Sequence, residues 1–159
     1  MTTNSLTTNK LLPYGLTLIR VIVGIVFLAH GSQKLFAYGI GGVAAGMGQL
    51  GLPLPLVSAT LVTATEFLGG LALILGLGTR LAAAPIAFAM LIAVTVAHGA
   101  GGFFLPTGFE YALTLLVLNV ALILTGPGAF ALDNVIGAAS ALRTPDVSGA
   151  GVRPQHRIA

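Results

Sequence analysis

Residues 20–34 read RVIVGIVFLAHGSQK and place an arginine, a histidine, a glutamine and a lysine in one apolar run. The run predicts a membrane-spanning helix, since crossing the hydrocarbon core takes about 20 apolar residues. An α-helix turns about 100° per residue, so Arg20, Phe27, His30 and Lys34 are expected towards one side of it. Ionisable groups in a bilayer are costly and normally face a partner, a cavity or a pathway. We therefore expect the rest of the chain to supply partners for these side chains.

The composition is that of an integral membrane protein. Of the 159 residues, 56% are hydrophobic and 7% are charged, whereas roughly 25% of the residues in a soluble domain are charged. The mean hydropathy is +1.00. The net charge of +3 comes from seven scattered Lys and Arg residues, which argues against a nucleic-acid partner. The chain has no cysteine, which excludes a thiolate nucleophile, a disulfide relay and an iron–sulfur site within it.

The hydropathy pattern predicts an all-α, membrane-embedded bundle of four transmembrane helices. The four apolar runs that are predicted to span the membrane are residues 14–38, 56–78, 81–97 and 109–124. They form one domain over residues 13–131, between polar tails at residues 1–12 and 144–159 that are predicted to be disordered. The glycine-rich, uncharged residues 39–55 are expected to form an apolar loop or a short interfacial helix. Residues 132–143 have a helical apolar spacing that predicts an amphipathic helix on the membrane surface.

The basic residues predict the orientation of the chain. With four spans, five of them fall on one side of the membrane: Lys10, Arg80, Arg143, Arg153 and Arg157. The loops after the first and third spans contain no Lys or Arg. The positive-inside rule then places both termini in the cytoplasm of a bacterial-type cytoplasmic (inner) membrane. Three or five spans would remove this asymmetry, so the charge pattern favours four.

Six ionisable residues in or next to the spans are the candidate site. At about 1.5 Å per helical residue, four of them come to one level in the outer half of the bundle: His30, Lys34, His98 and Glu110. Arg20 and Glu66 lie deeper, where they are natural partners of opposite charge. We assign candidate catalytic roles to His30, Glu66 and Glu110, and substrate-binding roles to Arg20, Lys34 and His98. No set of metal ligands is predicted.

Every one of these residues except Glu66 also has a purely structural interpretation. The long side chains of Arg20 and Lys34 can reach towards the membrane surfaces. The others can be helix-packing or solvated loop-edge residues: His30, His98 and Glu110. A carboxylate in the middle of a span has no such explanation and must be paired, protonated or functional. Glu66 is therefore the most informative single residue in the sequence.

Several short motifs resemble those of the DoxX family of small four-helix membrane proteins. The matching residues are Arg20-x3-Gly24-x5-His30-Gly31-x2-Lys34-Leu35, Gly51-x-Pro53, Glu66-x2-Gly69-Gly70, Gly76-x3-Arg80 and Gly126-Pro127-Gly128-x4-Asp133. The resemblance covers residues 16–133. Some members of this family are similar to the membrane subunit of a thiosulfate:quinone oxidoreductase, and others are associated with redox and detoxification complexes. The resemblance implies a redox-linked role without fixing a substrate.

The favoured hypothesis is a quinone-linked oxidoreductase subunit that works with a protein partner. His30 would donate to a quinone carbonyl, Glu66 or Glu110 would carry the proton, and Lys34 or Arg20 would stabilise reduced oxygen. Tyrosine is the only redox-active side chain in the sequence, so the electrons must come from a bound cofactor or a partner.

Three alternatives stay open. A non-catalytic subunit that anchors a larger membrane complex would use the same polar groups as structural contacts. A small transporter or channel is less favoured, because the four short spans show no internal repeat. A haem or chlorin on His30 and His98 is chemically feasible, since imidazole is a good axial ligand, but a quinone is favoured over either.

Overall fold

The computed structural model describes residues 10–141 of the chain, with side chains to residue 139, and no strand occurs among them. The α-helices are α1 (Leu12–Ser32), α2 (Gly39–Gln49), α3 (Pro55–Leu75), α4 (Thr79–Ile92), α5 (Glu110–Thr125) and α6 (Leu132–Ala141). Two π-helical segments extend α1 and α4, at Gln33–Tyr38 and Ala93–Ala97 respectively. Most of the two predicted tails lies outside the described residues.

Among residues 10–141, three helical stretches are long and apolar enough to cross a membrane: Leu12–Gln49, Pro55–Leu75 and Thr79–Ala97. Helix α5 is apolar but shorter, with 16 residues. The all-helical, membrane-type fold is confirmed. That α5 forms a fourth span, and that both termini are cytoplasmic, stay predictions.

The helices pack as a ring. Helix α1 lies along α3, α3 packs on α4, α4 on α5, and a sparser contact between α5 and α1 closes the ring. The apolar core between them includes Val23, Phe27, Leu73, Ile86 and Leu122. We call the end where α1 begins and α3 turns into α4 the terminal end. The opposite end, where α1 passes into α2 and α4 connects to α5, is the loop end.

Glycines allow α1 and α3 to approach closely. A Cβ atom at Gly24 would lie 2.8 Å from the carbonyl oxygen of Gly70, and one at Gly70 would overlap the backbone of Leu28. A Cβ atom at Gly31 would overlap the backbone of Phe67. Small residues at such a seam let two membrane helices pack backbone against backbone. This seam, formed by Gly24, Gly31 and Gly70, fixes the register between α1 and α3.

The region predicted as an apolar loop or short interfacial helix, residues 39–55, is largely helical. It contains α2, which packs against α3. Gly39, with φ of +65°, interrupts the helical backbone between the π segment and α2, a conformation that glycine adopts without a steric cost. Helix α6 falls within the predicted residues 132–143, and its position on the membrane surface stays a prediction.

Candidate functional site

The centre of the candidate site is an ion pair between Lys34 and Glu66. Glu66 is the twelfth of the 21 residues of α3, near the middle of that span. Its carboxylate Oε2 accepts a hydrogen bond from the Lys34 ammonium, which belongs to the π segment that follows α1. The side chain of Glu66 is only 3% exposed and that of Lys34 is 23% exposed. The carboxylate that the sequence left without a structural explanation is therefore paired.

The glycine seam explains how these two charges meet. A Cβ atom at Gly31 would lie 2.9 Å from the carbonyl carbon of Glu66, so the two backbones touch beside the carboxylate. In a π-helix the hydrogen bond spans five residues instead of four, which widens the turn and rotates the following side chains around the axis. Lys34 lies in such a turn, immediately beyond this contact. Burying the pair costs desolvation energy, which the mutual attraction of the two charges offsets.

His30 lies one turn before Lys34 but on the outer surface of the bundle. Its Nδ1 is 2.9 Å from the carbonyl oxygen of Val26. Because a carbonyl oxygen only accepts, Nδ1 must carry the proton, and Nε2 of the neutral ring then presents a lone pair. The ring lies 6.3 Å from that of Tyr111, centroid to centroid, across the contact between α1 and α5. Neutral His30 can therefore only accept a hydrogen bond at Nε2. The sequence hypothesis has His30 donate to a quinone carbonyl, and only the protonated ring can do so from Nε2.

Glu110 and His98 lie at the loop end, on the connection between α4 and α5. The Glu110 carboxylate Oε1 accepts the backbone N–H of Leu105 at 2.9 Å, so it is bound to its own loop. His98 ends the π segment that extends α4, and its ring is half-buried. Within residues 10–139, neither side chain forms a hydrogen bond or ion pair with His30, Lys34 or Glu66. The four residues that were predicted to lie at one level of the bundle therefore do not form one cluster, and each makes its own contacts.

Arg20 lies at the terminal end of the bundle and is 1% exposed. Its guanidinium donates to the carbonyl oxygens of Leu73 at 2.6 Å and Ile74 at 3.2 Å, and to that of Phe130 at 3.2 Å. Leu73 and Ile74 are in the last turn of α3, whose carbonyl oxygens lack partners within the helix. Arg20 therefore provides hydrogen-bond donors for these carbonyl oxygens and a positive charge at the negative end of the α3 dipole.

The expected pairing of Arg20 with Glu66 does not form, because the register between the antiparallel helices α1 and α3 places Arg20 beside the end of α3. The glycine seam sets Gly31 against Glu66 and leaves Arg20 opposite Leu73. Seven residues of helix separate Glu66 from Leu73, about 10 Å along the axis. Arg20 is therefore remote from the ion pair, and the placement gives no support to a shared substrate site.

Asp133 binds the turn that connects α3 to α4, at the start of α4. Its carboxylate accepts the backbone N–H groups of Gly78 at 2.6 Å and Thr79 at 3.0 Å, at the N-terminus of α4. Its own N–H donates to the carbonyl of Gly76 at 2.9 Å. The turn between α3 and α4 thus has a cation at the end of α3 and an anion at the start of α4, as the helix dipoles favour. We call Arg20 and Asp133 the terminal clamp.

The surroundings of Asp133 also determine its ionisation. Burial alone would raise the pKa of this carboxyl group, but the N–H groups of Thr79 and Gly78 and the nearby Arg20 charge outweigh that effect. The net result is a pKa below the ordinary value of 3.8. Asp133 is therefore a carboxylate at neutral pH. In the sequence it was visible only as the last residue of a family motif, with no indication of what it contacts.

Tyr111 is the other contact that the sequence did not single out as a site residue. It follows Glu110 at the start of α5, and its side chain is 41% exposed beside His30. Its position next to a candidate residue was a signal, but the rotation of α5 relative to α1 was needed to join it to His30. The structure thus has two polar centres: the ion pair with the neighbouring His30–Tyr111 contact, and the terminal clamp.

An all-helical chain with several membrane-type helices and a buried ion pair near the middle of one of them is a small integral membrane protein. The DoxX family pattern matches residues 15–99, more than half of the chain. The protein belongs to the DoxX family. Residues from four of the quoted motifs form the glycine seam, the ion pair and the terminal clamp: the motifs of residues 20–35, 66–70, 76–80 and 126–133.

Three curated proteins show what this chain resembles. An uncharacterized protein of Haemophilus influenzae is 36% identical over 130 residues, which cover 79% of this chain and 93% of the relative. The protein of Bacillus subtilis named "Putative oxidoreductase CatD" is 34% identical over 125 residues, covering 79% of this chain and 89% of the relative. The membrane protein Rv3486 of Mycobacterium tuberculosis is 33% identical over 132 residues, covering 76% and 80% respectively. No solved structure matches the chain.

Proposed function

We propose that the protein is the membrane subunit of a quinone-linked redox system in the bacterial cytoplasmic membrane, and that it works with a protein partner. The observation that carries this proposal is the Lys34–Glu66 ion pair near the middle of a span, one turn from His30. A quinone needs an apolar setting together with groups that exchange protons and stabilise charge on its oxygens. The oxidoreductase name of CatD supports a redox role.

His30 is the residue that we place against the quinone oxygen. With Nδ1–H bound to Val26, neutral His30 presents Nε2 to accept the O–H of a quinol. After taking the proton, the same ring donates from Nε2 to the quinone carbonyl. Because an imidazole can both accept and donate a proton, His30 can serve either direction of the reaction. The Tyr111 hydroxyl is a further donor beside it.

Lys34 and Glu66 are the groups that we assign to charge and proton balance. Reduction of a quinone to a quinol takes up two electrons and two protons. An ammonium paired with a carboxylate can stabilise a partly reduced oxygen, and the carboxylate can pass a proton once its partner turns to the substrate. Arg20 is left out of this assignment because the terminal clamp occupies it. With no cysteine in the chain, the electrons are assigned to a partner or to a cofactor that it carries.

The test is the affinity of the purified protein in lipid nanodiscs for short-chain benzoquinones and naphthoquinones, measured by calorimetric titration. His30→Ala should weaken quinone binding about tenfold, because that is the loss in affinity expected when one hydrogen bond to the ligand is removed. The matched control is Thr60→Ala, which likewise removes a side chain bonded to the carbonyl four residues earlier on an exposed helix face. Equal affinities of His30→Ala and the parent protein would overturn the quinone assignment.

One observation favours a second function, that of a non-catalytic anchoring subunit. The terminal clamp and the glycine seam account for many motif residues through packing alone. Purification of the tagged protein in mild detergent separates the two functions. A stoichiometric partner together with no quinone binding would support the anchor, whereas quinone binding by the chain supports the redox subunit.

A further inference from the structure

The connection between α4 and α5 exposes a compact apolar surface at the loop end. Residues 99–109 contain no charged side chain. Phe103, Phe104 and Leu105 are 48%, 75% and 56% exposed, respectively. The Phe103 ring packs edge-on against those of Phe104 and Phe109, with centroids 5.2 and 5.5 Å away. We call residues 99–109 the aromatic loop.

The backbone of the aromatic loop bonds to itself. Gly101 N–H donates to His98, Gly108 to Phe104, Phe109 to Gly102 and Glu110 to Phe103, each at 2.9 Å. The N–H of Leu105 reaches the Glu110 carboxylate at 2.9 Å, and Pro106 has no N–H to satisfy. Backbone N–H groups that already have partners within the protein need not be stripped of water when the loop enters a region with little water, which lowers the cost of that entry.

The length of α5 indicates what lies around the loop. Sixteen helical residues extend about 24 Å, and the hydrocarbon core is about 30 Å thick. If α5 crosses the membrane, as the four-span prediction holds, apolar residues beyond its end must complete the crossing. The aromatic loop leads into the N-terminus of α5 and exposes phenylalanine and leucine side chains there. Such residues enter the boundary between lipid headgroups and acyl chains to a depth of about 5–10 Å.

We propose that the aromatic loop is a lipid-binding anchor that inserts between the acyl chains and headgroups at the loop end. Its occupant is lipid, because its surface is apolar, carries no charge to select a protein partner, and already satisfies much of its own backbone. The Glu110 carboxylate stabilises the conformation of the loop by accepting the backbone N–H of Leu105. This proposal is independent of quinone binding and adds a role for Glu110 as a positioning residue.

The absence of tryptophan from the chain allows a direct test. Phe104→Trp introduces the only tryptophan of the chain, at the tip of the loop, and its fluorescence can be excited apart from that of the three tyrosines. The variant is reconstituted in phosphatidylcholine vesicles whose acyl chains are brominated near the headgroup, at mid-chain or near the methyl end. Phe88, which is 65% exposed on the outside of α4, lies within a membrane-type helix, so Phe88→Trp provides a reference at greater depth. Iodide in the buffer reports exposure to water.

We expect bromine near the headgroup to quench Phe104→Trp most, and iodide to quench it weakly. Bromine deeper in the acyl chains should quench Phe88→Trp most. Strong quenching of Phe104→Trp by iodide, with none from the brominated lipids, would overturn the proposal and leave the surface for a protein partner. A depth equal to that of Phe88→Trp would also overturn it. Leu105→Trp repeats the measurement at a second position, so that a folding defect of one variant does not decide the result.

Discussion

At the scale of single residues, the terminal clamp consists of two charged side chains, Arg20 and Asp133, that cap the ends of helices to which they do not belong. Arg20 reaches from α1 to the last carbonyl oxygens of α3, and Asp133 reaches from α6 to the first N–H groups of α4. Both charges sit where the helix dipoles favour them. The two residues therefore tie α1 and the start of α6 to one turn.

The lowered pKa of Asp133 predicts how stability depends on pH. A carboxyl group whose folded pKa lies below its unfolded value of about 3.8 stabilises the fold above that value. This contribution is lost as the pH falls through the folded pKa. The thermal midpoint of the parent protein should therefore drop more steeply than that of Asp133→Asn as the pH is lowered below about 4.

Thermal unfolding in detergent, followed by circular dichroism from neutral to acidic pH, measures this effect. The matched control is Asn134→Ala, which removes the neighbouring side chain and its bond to the carbonyl of Gly128. That variant should keep the acid slope of the parent protein. Parallel pH profiles for the parent and Asp133→Asn would refute the role of the carboxylate.

The sequence identified Arg20 as a buried charge but could not identify its partner. Helical periodicity gives the depth of a residue to within about a turn, yet the choice between Glu66 and the end of α3 depends on the register between two helices. Opposite charge favoured Glu66. The carbonyl oxygens of Leu73 and Ile74, which Arg20 contacts, carry no signal in a sequence because every residue has one.

At the scale of helices, the glycine seam and the π segment together place the ion pair. Gly31 brings α1 against the backbone beside Glu66, and the wide turn that follows carries Lys34 towards the carboxylate. The two motifs that contain Gly24 and Gly31 and, separately, Gly70 were visible in the sequence, but the π-helical turn was not. A short π-helical segment has no side-chain pattern that distinguishes it from the α-helix that it extends.

Alanine at the seam should destabilise the packing of α1 on α3. Gly31→Ala places a methyl group against the backbone of Phe67, which cannot move as a flexible side chain can. We expect a loss of about 1–3 kcal/mol in the free energy of unfolding, the range for overpacking a tight contact. The measurement is reversible unfolding of the purified protein in mixed detergent micelles, followed by circular dichroism.

Gly15→Ala is the control for this prediction. Gly15 lies in the same helix, and no atom of another element would come within 4 Å of its Cβ. Alanine favours a helix over glycine by up to about 1 kcal/mol, so this variant should be as stable as the parent protein or more so. If the two alanine variants are equally stable, α1 and α3 are not packed as closely as the seam requires.

At the scale of the whole molecule, composition and hydropathy were enough to predict the fold class. Low charge and long apolar runs favour helices, which satisfy their backbone hydrogen bonds internally in lipid, and the described part of the chain consists of helices and loops without a strand. Hydropathy alone does not fix the number of spans, since α5 has 16 residues and α4 reaches membrane-spanning length only with its π-helical extension. The basic residues provide the independent criterion, because they predict the side on which each connection lies.

The four-span topology with cytoplasmic termini therefore has its own test, for which the cysteine-free sequence is suited. Single cysteines at Lys10, Arg80 and Arg143 should react with a membrane-impermeant maleimide in inverted vesicles and not in spheroplasts. A cysteine at Gln49, at the loop end, should react in spheroplasts. Labelling of the Arg80 and Arg143 positions from opposite sides would mean that α4 and α5 do not both cross. In that case one of the two helices would not cross the membrane, and the positive-inside assignment would fall with the fourth span.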